Sequence, residues 1–166
     1  FPYHLRLITK IRFYAAFGAG GVIYLTSLIF NNIGLSATDI GLGFTISAII
    51  GTLTRLFTGN YLNKTGEIQF PIVTSSILSI AASLCLIFSR DTFLYLIGQS
   101  FVGAAAGIYW PAAEFGVPYF CHPIETRKAY ALVRSSEALG IFLGVFSGGF
   151  MTNFFYSKSI FINDIF

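Results

Sequence analysis

Five long stretches without a charged residue constrain the fold of this 166-residue chain more than any other feature. A helix needs roughly 20 mostly apolar residues to cross a bilayer, and all but the second stretch reach that length unaided. The second needs an extension past Arg55. The stretches are residues 13–38, 40–54, 68–89, 92–113 and 138–157. Because they are continuous rather than alternating, they favour membrane helices over the strands of a membrane barrel.

Composition excludes a soluble globular protein. The chain is 55% hydrophobic and 10% charged, with a mean hydropathy of +0.74, whereas a soluble domain is usually about 25% charged. We therefore predict an all-α integral membrane protein. Its five spans are expected near residues 12–32, 38–60, 69–89, 92–119 and 129–155.

The positions of the lysines and arginines predict the orientation. If the amino end faces the cytoplasm, eight of the ten basic residues fall on the inner side and only Arg90 and Lys158 fall outside. Basic residues are enriched in cytoplasmic segments, so we predict a multi-pass protein of the cell membrane with its amino end inside. Residues 61–68 and 120–128 are then cytoplasmic, and residues 33–38 and 90–91 lie outside. This distribution accounts for the basic clusters without a nucleic-acid partner.

The reactive side chains indicate neither an enzyme nor a metal site. Cys85 and Cys121 are predicted at opposite depths, which does not allow a disulfide between them. Cys121 and His122 are adjacent, but no further Cys or His lies nearby in sequence to complete a metal site. The chain also has no nucleophile elbow, phosphate-binding loop or zinc-binding helix. We expect no catalytic residue, cofactor or bound metal.

The turn between the second and third spans contains a recognisable motif. Gly59, Lys64 and Gly66 fit a pattern in which a basic turn is bracketed by glycines, while Asn63 stands where that pattern usually has aspartate and Glu67 where arginine is common. This turn resembles the signature loop of the major facilitator superfamily of transporters. The resemblance implies a cytoplasmic latch, in which the glycines permit a tight turn and Lys64 contacts another bundle or a helix end.

Two further motifs resemble the same superfamily. In the fourth span, Gln99 precedes Gly103 by four residues, at a position where the superfamily carries arginine. The fifth span resembles the glycine-rich helix of drug/proton antiporters, with Val145 in place of a proline. Its glycines are Gly140, Gly144, Gly148 and Gly149. Glycines spaced by four let two helices approach closely, so we expect this face, lacking its partner in a partial chain, to promote self-association.

Ionisable and aromatic residues within the spans are candidates for a substrate or coupling site. Glu114 and Arg134 are each ten residues from a turn near Ile124, so we predict that they pair, with Glu137 close by. A charge at membrane depth is costly and tends to have a partner or a role. A structural ion pair and a substrate- or proton-linked role both remain open. The resemblance adds Tyr24, Gln99, Tyr109 and Trp110 as cavity candidates.

The resemblance implies a secondary transporter of a small molecule that works by alternating access. We expect residues 1–166 to supply five helices of a six-helix amino-terminal bundle in the lipid bilayer, with the carboxy-terminal bundle missing. The start at Phe1 rather than Met agrees with a partial chain. A proton or sodium ion is the expected coupling ion. The alternative is a non-transporting membrane subunit or assembly factor built on a degenerate transporter half.

Overall fold

The described residues fold into five helices, each long and apolar enough to cross a membrane. The computed structural model describes residues 3–119 and 126–163, with side chains described for residues 3–118 and 126–152. The helices are α1 Tyr3–Ile33, α2 Ala37–Thr65, α3 Gln69–Phe88, α4 Thr92–Tyr119 and α5 Thr126–Asn163. No strand occurs in these ranges. The prediction of an all-α membrane fold with five spans is confirmed.

Three helices extend well beyond the spans predicted for them. α1 begins at Tyr3 rather than near residue 12, α2 continues to Thr65 rather than 60, and α5 reaches Asn163 rather than 155. Lysine and arginine are good helix formers, so a charge that ends an apolar stretch need not end a helix. α2 stops at Gly66, whose φ of 67° is left-handed and whose N–H donates to the Leu62 carbonyl at 2.8 Å.

The start of α2 is fixed by a capping box. The N-cap residue is Ser36. Its hydroxyl accepts a hydrogen bond from the Asp39 N–H at 3.1 Å, and the Asp39 carboxylate accepts one from the Ser36 N–H at 3.3 Å. Both groups satisfy backbone donors that a helix start otherwise leaves unpaired.

The helices form two compact units. The first unit contains α1 up to Ile29 together with α5. The second contains the end of α1 and helices α2, α3 and α4, with α4 packed against both α2 and α3. The predicted turn near Ile124 and the adjacent Cys121 and His122 lie outside the described residues.

Small residues bring α2 and α4 close together in the second unit. A Cβ added at Gly103 would overlap the carbonyl oxygen of Ser47, and one at Gly107 would overlap the Gly51 carbonyl and the Thr54 hydroxyl. Backbone therefore lies directly against backbone along this helix pair, as is common where lipid rather than water surrounds the helices.

Candidate functional site

A cluster of three charged side chains lies between α1 and α5. Arg12 donates two hydrogen bonds to the same carboxylate oxygen of Glu137, from Nε at 3.1 Å and from Nη2 at 2.8 Å. Arg134, one turn before Glu137 on α5, donates to that oxygen at 3.4 Å. One carboxylate thus bridges two arginines from different helices. We call these three residues the charge cluster.

Burial separates the two arginines. The Arg12 side chain is 1% exposed and that of Glu137 is 16% exposed, whereas Arg134 is 58% exposed. A buried charge depends on its partner far more than an exposed one, which water and salt screen. Arg12 and Glu137 therefore form the structural part of the charge cluster, and Arg134 forms its solvent- or headgroup-facing edge.

Sequence reasoning missed Arg12, which it counted only among the basic residues of the cytoplasmic side. The available signal was its spacing from two apolar residues. Leu5 and Ala16 are fully buried and lie seven residues before and four after Arg12, so all three share one face of α1. An arginine in register with an apolar helix face is expected to meet a partner helix rather than solvent.

Glu137 lies close to Arg134, as predicted, with the two side chains 3.4 Å apart. Glu114 is half-buried on α4 and belongs to the second unit, whereas Arg134 belongs to the first. The Glu114–Arg134 pair stays a prediction.

The glycines of α5 pack against α1 at van der Waals distance. A Cβ added at Gly140 would lie 2.5 Å from the carbonyl oxygen of Phe13 and 2.9 Å from Cβ of Ala16. One at Gly144 would overlap the carbonyl oxygen of Phe17. The contacts advance along both helices in the same direction, so α1 and α5 run parallel.

The same glycine face continues towards Tyr24. The ring of Tyr24 lies 3.5 Å from a Cβ position at Gly148 and 3.7 Å from one at Gly149. The expectation that this face lacks a partner is therefore wrong, because α1 occupies it. Self-association stays a prediction. Tyr24 itself remains 37% exposed, so part of its ring is available for other contacts.

Gln99 lies in a buried polar contact between α4 and α2. It is 2% exposed and lies near the hydroxyl of Tyr95, one turn earlier on α4. That hydroxyl donates to the Ile40 carbonyl of α2 at 3.1 Å, and the Tyr95 ring occupies the space that a side chain at Gly43 would need. Tyr95 is fully buried and packs on Phe30 with ring centroids 4.6 Å apart. Tyr95, beside Gln99, thus joins α4 to α2.

Tyr109 and Trp110 are half-buried neighbours on α4. Their rings meet edge to face with centroids 5.0 Å apart. Pro111 follows within the helix, and the half-buried Glu114 lies one turn beyond Trp110. An aromatic pair and a carboxylate thus occupy adjacent turns of one helix. Such a combination can bind an organic molecule with a polar or cationic group.

The loop motif differs from the expected tight turn. Gly59, Asn63 and Lys64 are all part of α2, and only Gly66 adopts a turn conformation. The expectation that Gly59 permits the turn is therefore wrong, and its neighbourhood is open enough for a side chain. Asn63 and Lys64 are exposed in the last turn of α2. There the positive charge of Lys64 interacts favourably with the negative end of the helix dipole.

Glu67 organises the loop after α2. Its carboxylate accepts a hydrogen bond from the Tyr61 hydroxyl at 2.8 Å, and its N–H donates to the Thr65 hydroxyl at 3.2 Å. The Tyr61 ring also packs on Phe70 of α3, with centroids 5.7 Å apart. The acid at position 67 therefore connects α2 to the loop.

Metal binding has no geometric basis in the described part of the chain. Among the side chains of residues 3–118 and 126–152, no three of the His, Cys, Asp and Glu type lie close enough to share an ion. The described contacts of the candidate residues are with other side chains and with helix backbone.

The comparisons with known proteins identify a family. A family model described as Major Facilitator Superfamily matches residues 11–165, which include most of α1 and all of α2, α3, α4 and the described part of α5. The search of curated proteins found no significant match. Members of the matched family are membrane transporters rather than enzymes. With five membrane-length helices in this match, the chain belongs to the major facilitator superfamily.

Proposed function

We propose that this protein moves a small molecule across the membrane by alternating access. The family match over residues 11–165 carries the proposal. Transporters of this kind place the substrate near the midplane of the bilayer, between repeats that rock against each other. We propose that residues 1–166 form part of an amino-terminal bundle and that a second bundle completes the cavity.

We propose Tyr109, Trp110 and Glu114 of α4 as the substrate-contacting group, with Tyr24 of α1 as a further candidate. The half-burial of the α4 residues supports this role, because a cavity residue has to be held by protein and still reach the substrate. Glu114 is the carboxylate we propose for ion coupling, with a proton or sodium as the ion. Gln99 is buried beside Tyr95, which bonds to α2, and this supports a positioning role at α2 and α4.

The charge cluster has a different proposed role. Arg12 and Glu137 join α1 to α5 where their glycines have brought the backbones together, so the two helices can move as one body. Export is the proposed direction, because the α5 glycines resemble those of efflux-type members.

An uptake assay with a matched pair of variants tests this proposal. Liposomes containing the longest product of the reading frame, incubated with a metabolite extract and analysed by mass spectrometry, should accumulate at least one compound saturably. Trp110→Leu should abolish that accumulation. Phe93→Leu, at an aromatic residue of the same helix that is 74% exposed, should preserve it. Equal loss in both variants, or no saturable uptake with either gradient direction, would contradict the proposal.

We propose that the amino end is cytoplasmic and that the protein resides in the cell membrane. The basis is the excess of lysine and arginine on one side. Single cysteines at Ser36 and Thr65, both exposed, can be labelled in whole cells with an impermeant thiol reagent in a background lacking Cys85 and Cys121. Ser36 is expected to react and Thr65 to be protected. The reverse pattern would overturn the orientation.

A further inference from the structure

The first four turns of α1 carry exposed cations and tyrosines on one side of the helix. Tyr3 is 74% exposed, Tyr14 is 70% exposed and Leu7 is 43% exposed, and Arg6 and Lys10 between them are also exposed. Spacings of three and four residues place all five on one face of a helix. We call this set the α1 basic face.

The described side chains of the first unit, which contains α1 and α5, do not neutralise the cations of the α1 basic face. Glu137 is the one acidic residue among its described side chains, and it is already bonded to Arg12 and Arg134. Neither Arg6 nor Lys10 forms an ion pair with any residue whose side chain is described. The face therefore presents net positive charge to its surroundings.

The length of α1 places this face at the membrane surface. A helix of 31 residues is about 46 Å long, whereas the hydrocarbon core of a bilayer is about 30 Å thick. About ten residues must therefore extend beyond the core. The charged end, rather than the uncharged remainder, is the part that extends, and tyrosines with arginine and lysine are typical of the headgroup region.

Contacts with α5 hold this segment in one orientation. Arg12 is bonded to Glu137, and the Ser136 hydroxyl lies 3.4 Å from the Thr9 carbonyl. Leu5 is fully buried on the same side of α1 as these contacts. The α1 basic face is consequently turned away from α5 and fixed there, which reduces the entropy cost of binding a ligand.

We propose that the α1 basic face binds the headgroup of an anionic phospholipid. Arg6 and Lys10 contact the phosphate, while the rings of Tyr3 and Tyr14 lie at the boundary between headgroups and acyl chains. Charge complementarity selects anionic over zwitterionic lipid, because each basic residue near a membrane surface gains about fivefold in affinity for anionic lipid. The proposal does not depend on transport, since its residues are not among those proposed to contact the substrate.

Native mass spectrometry of the purified protein tests this proposal directly. The protein is titrated in detergent with phosphatidylglycerol and, separately, with phosphatidylcholine. We expect preferential retention of phosphatidylglycerol, reduced about fivefold by Arg6→Gln or Lys10→Gln and about 25-fold by the two together. The matched control is Arg90→Gln, which removes an exposed cation between α3 and α4 and should leave retention unchanged.

A charge-preserving exchange separates lipid binding from a folding defect. Arg6→Lys combined with Lys10→Arg should retain phosphatidylglycerol as the unaltered protein does, because the charge stays in place. Unchanged retention in the double glutamine variant, or equal loss in the Arg90→Gln control, would overturn the proposal. Equal retention of the two lipids by the unaltered protein would also overturn it.

Discussion

Replacing Glu137 with glutamine removes the carboxylate that accepts two hydrogen bonds from the buried Arg12. Because glutamine is nearly isosteric, the packing of α1 against α5 is preserved and the change is almost purely electrostatic. Arg12 is 1% exposed, so water cannot solvate its guanidinium in place of the lost carboxylate. The free energy of unfolding should therefore fall, because the contact between α1 and α5 is weakened.

The expected size follows from burial. Removing one partner of a buried ion pair costs about 3–5 kcal/mol. Because the glutamine oxygen can still accept a hydrogen bond, Glu137→Gln is expected at the lower end of this range. Arg134→Gln removes a cation that is 58% exposed and 3.4 Å from the same oxygen. An exposed pair of this spacing contributes about 0.5 kcal/mol or less. The two substitutions should differ severalfold.

Unfolding in mixed micelles, followed by circular dichroism as a denaturing detergent is added, measures both variants. The double variant Arg12→Gln/Glu137→Gln completes a thermodynamic cycle and should be less destabilised than the two single changes added together. Strict additivity, or a loss for Arg134→Gln as large as that for Glu137→Gln, would refute the assignment of Arg12 and Glu137 as the structural pair.

Three further predictions concern a glycine contact, a buried hydrogen bond and a charge pair. Gly144→Ala should destabilise the protein by about 1–3 kcal/mol, because its methyl group meets backbone of α1 that cannot move aside, whereas Gly18→Ala, with no atom within 4 Å, should be neutral or stabilising in the same unfolding assay. Tyr95→Phe should cost about 1 kcal/mol through loss of the buried hydrogen bond to α2, and an unchanged unfolding midpoint would contradict this. The predicted Glu114–Arg134 pair makes the effects of Glu114→Gln and Arg134→Gln on transport rate non-additive in a double-mutant cycle, and additive effects would show that the two side chains do not interact.

The number and type of the helices could be predicted from sequence because both depend on local composition. Each uncharged stretch long enough to span a bilayer corresponds to one helix. The ends of the helices were harder to predict from the sequence. Arg12 ends an apolar stretch but not a helix, and Gly59 looked like a turn residue although the helix continues to Thr65.

The candidate site was predicted only in part. The proximity of Arg134 and Glu137 follows from their spacing on one helix, and so was visible in the sequence. The pairing of Glu137 with Arg12 crosses 125 positions of chain and depends on the register of two parallel helices. Nothing in either segment alone specifies that register, so the partner of Arg12 could not be predicted from the sequence.

The glycines of α5 show the same division. Their spacing of four determined that some helix could approach closely, because that property belongs to a single helix face. Which helix fills the face is a property of the fold, and Phe13, Phe17 and Tyr24 of α1 provide the answer. By itself the sequence determined where the chain is apolar enough to become helical in a membrane, since this depends on neighbouring residues. Only the tertiary structure decided which buried charge and which glycine meet, because those contacts arise from packing between distant segments.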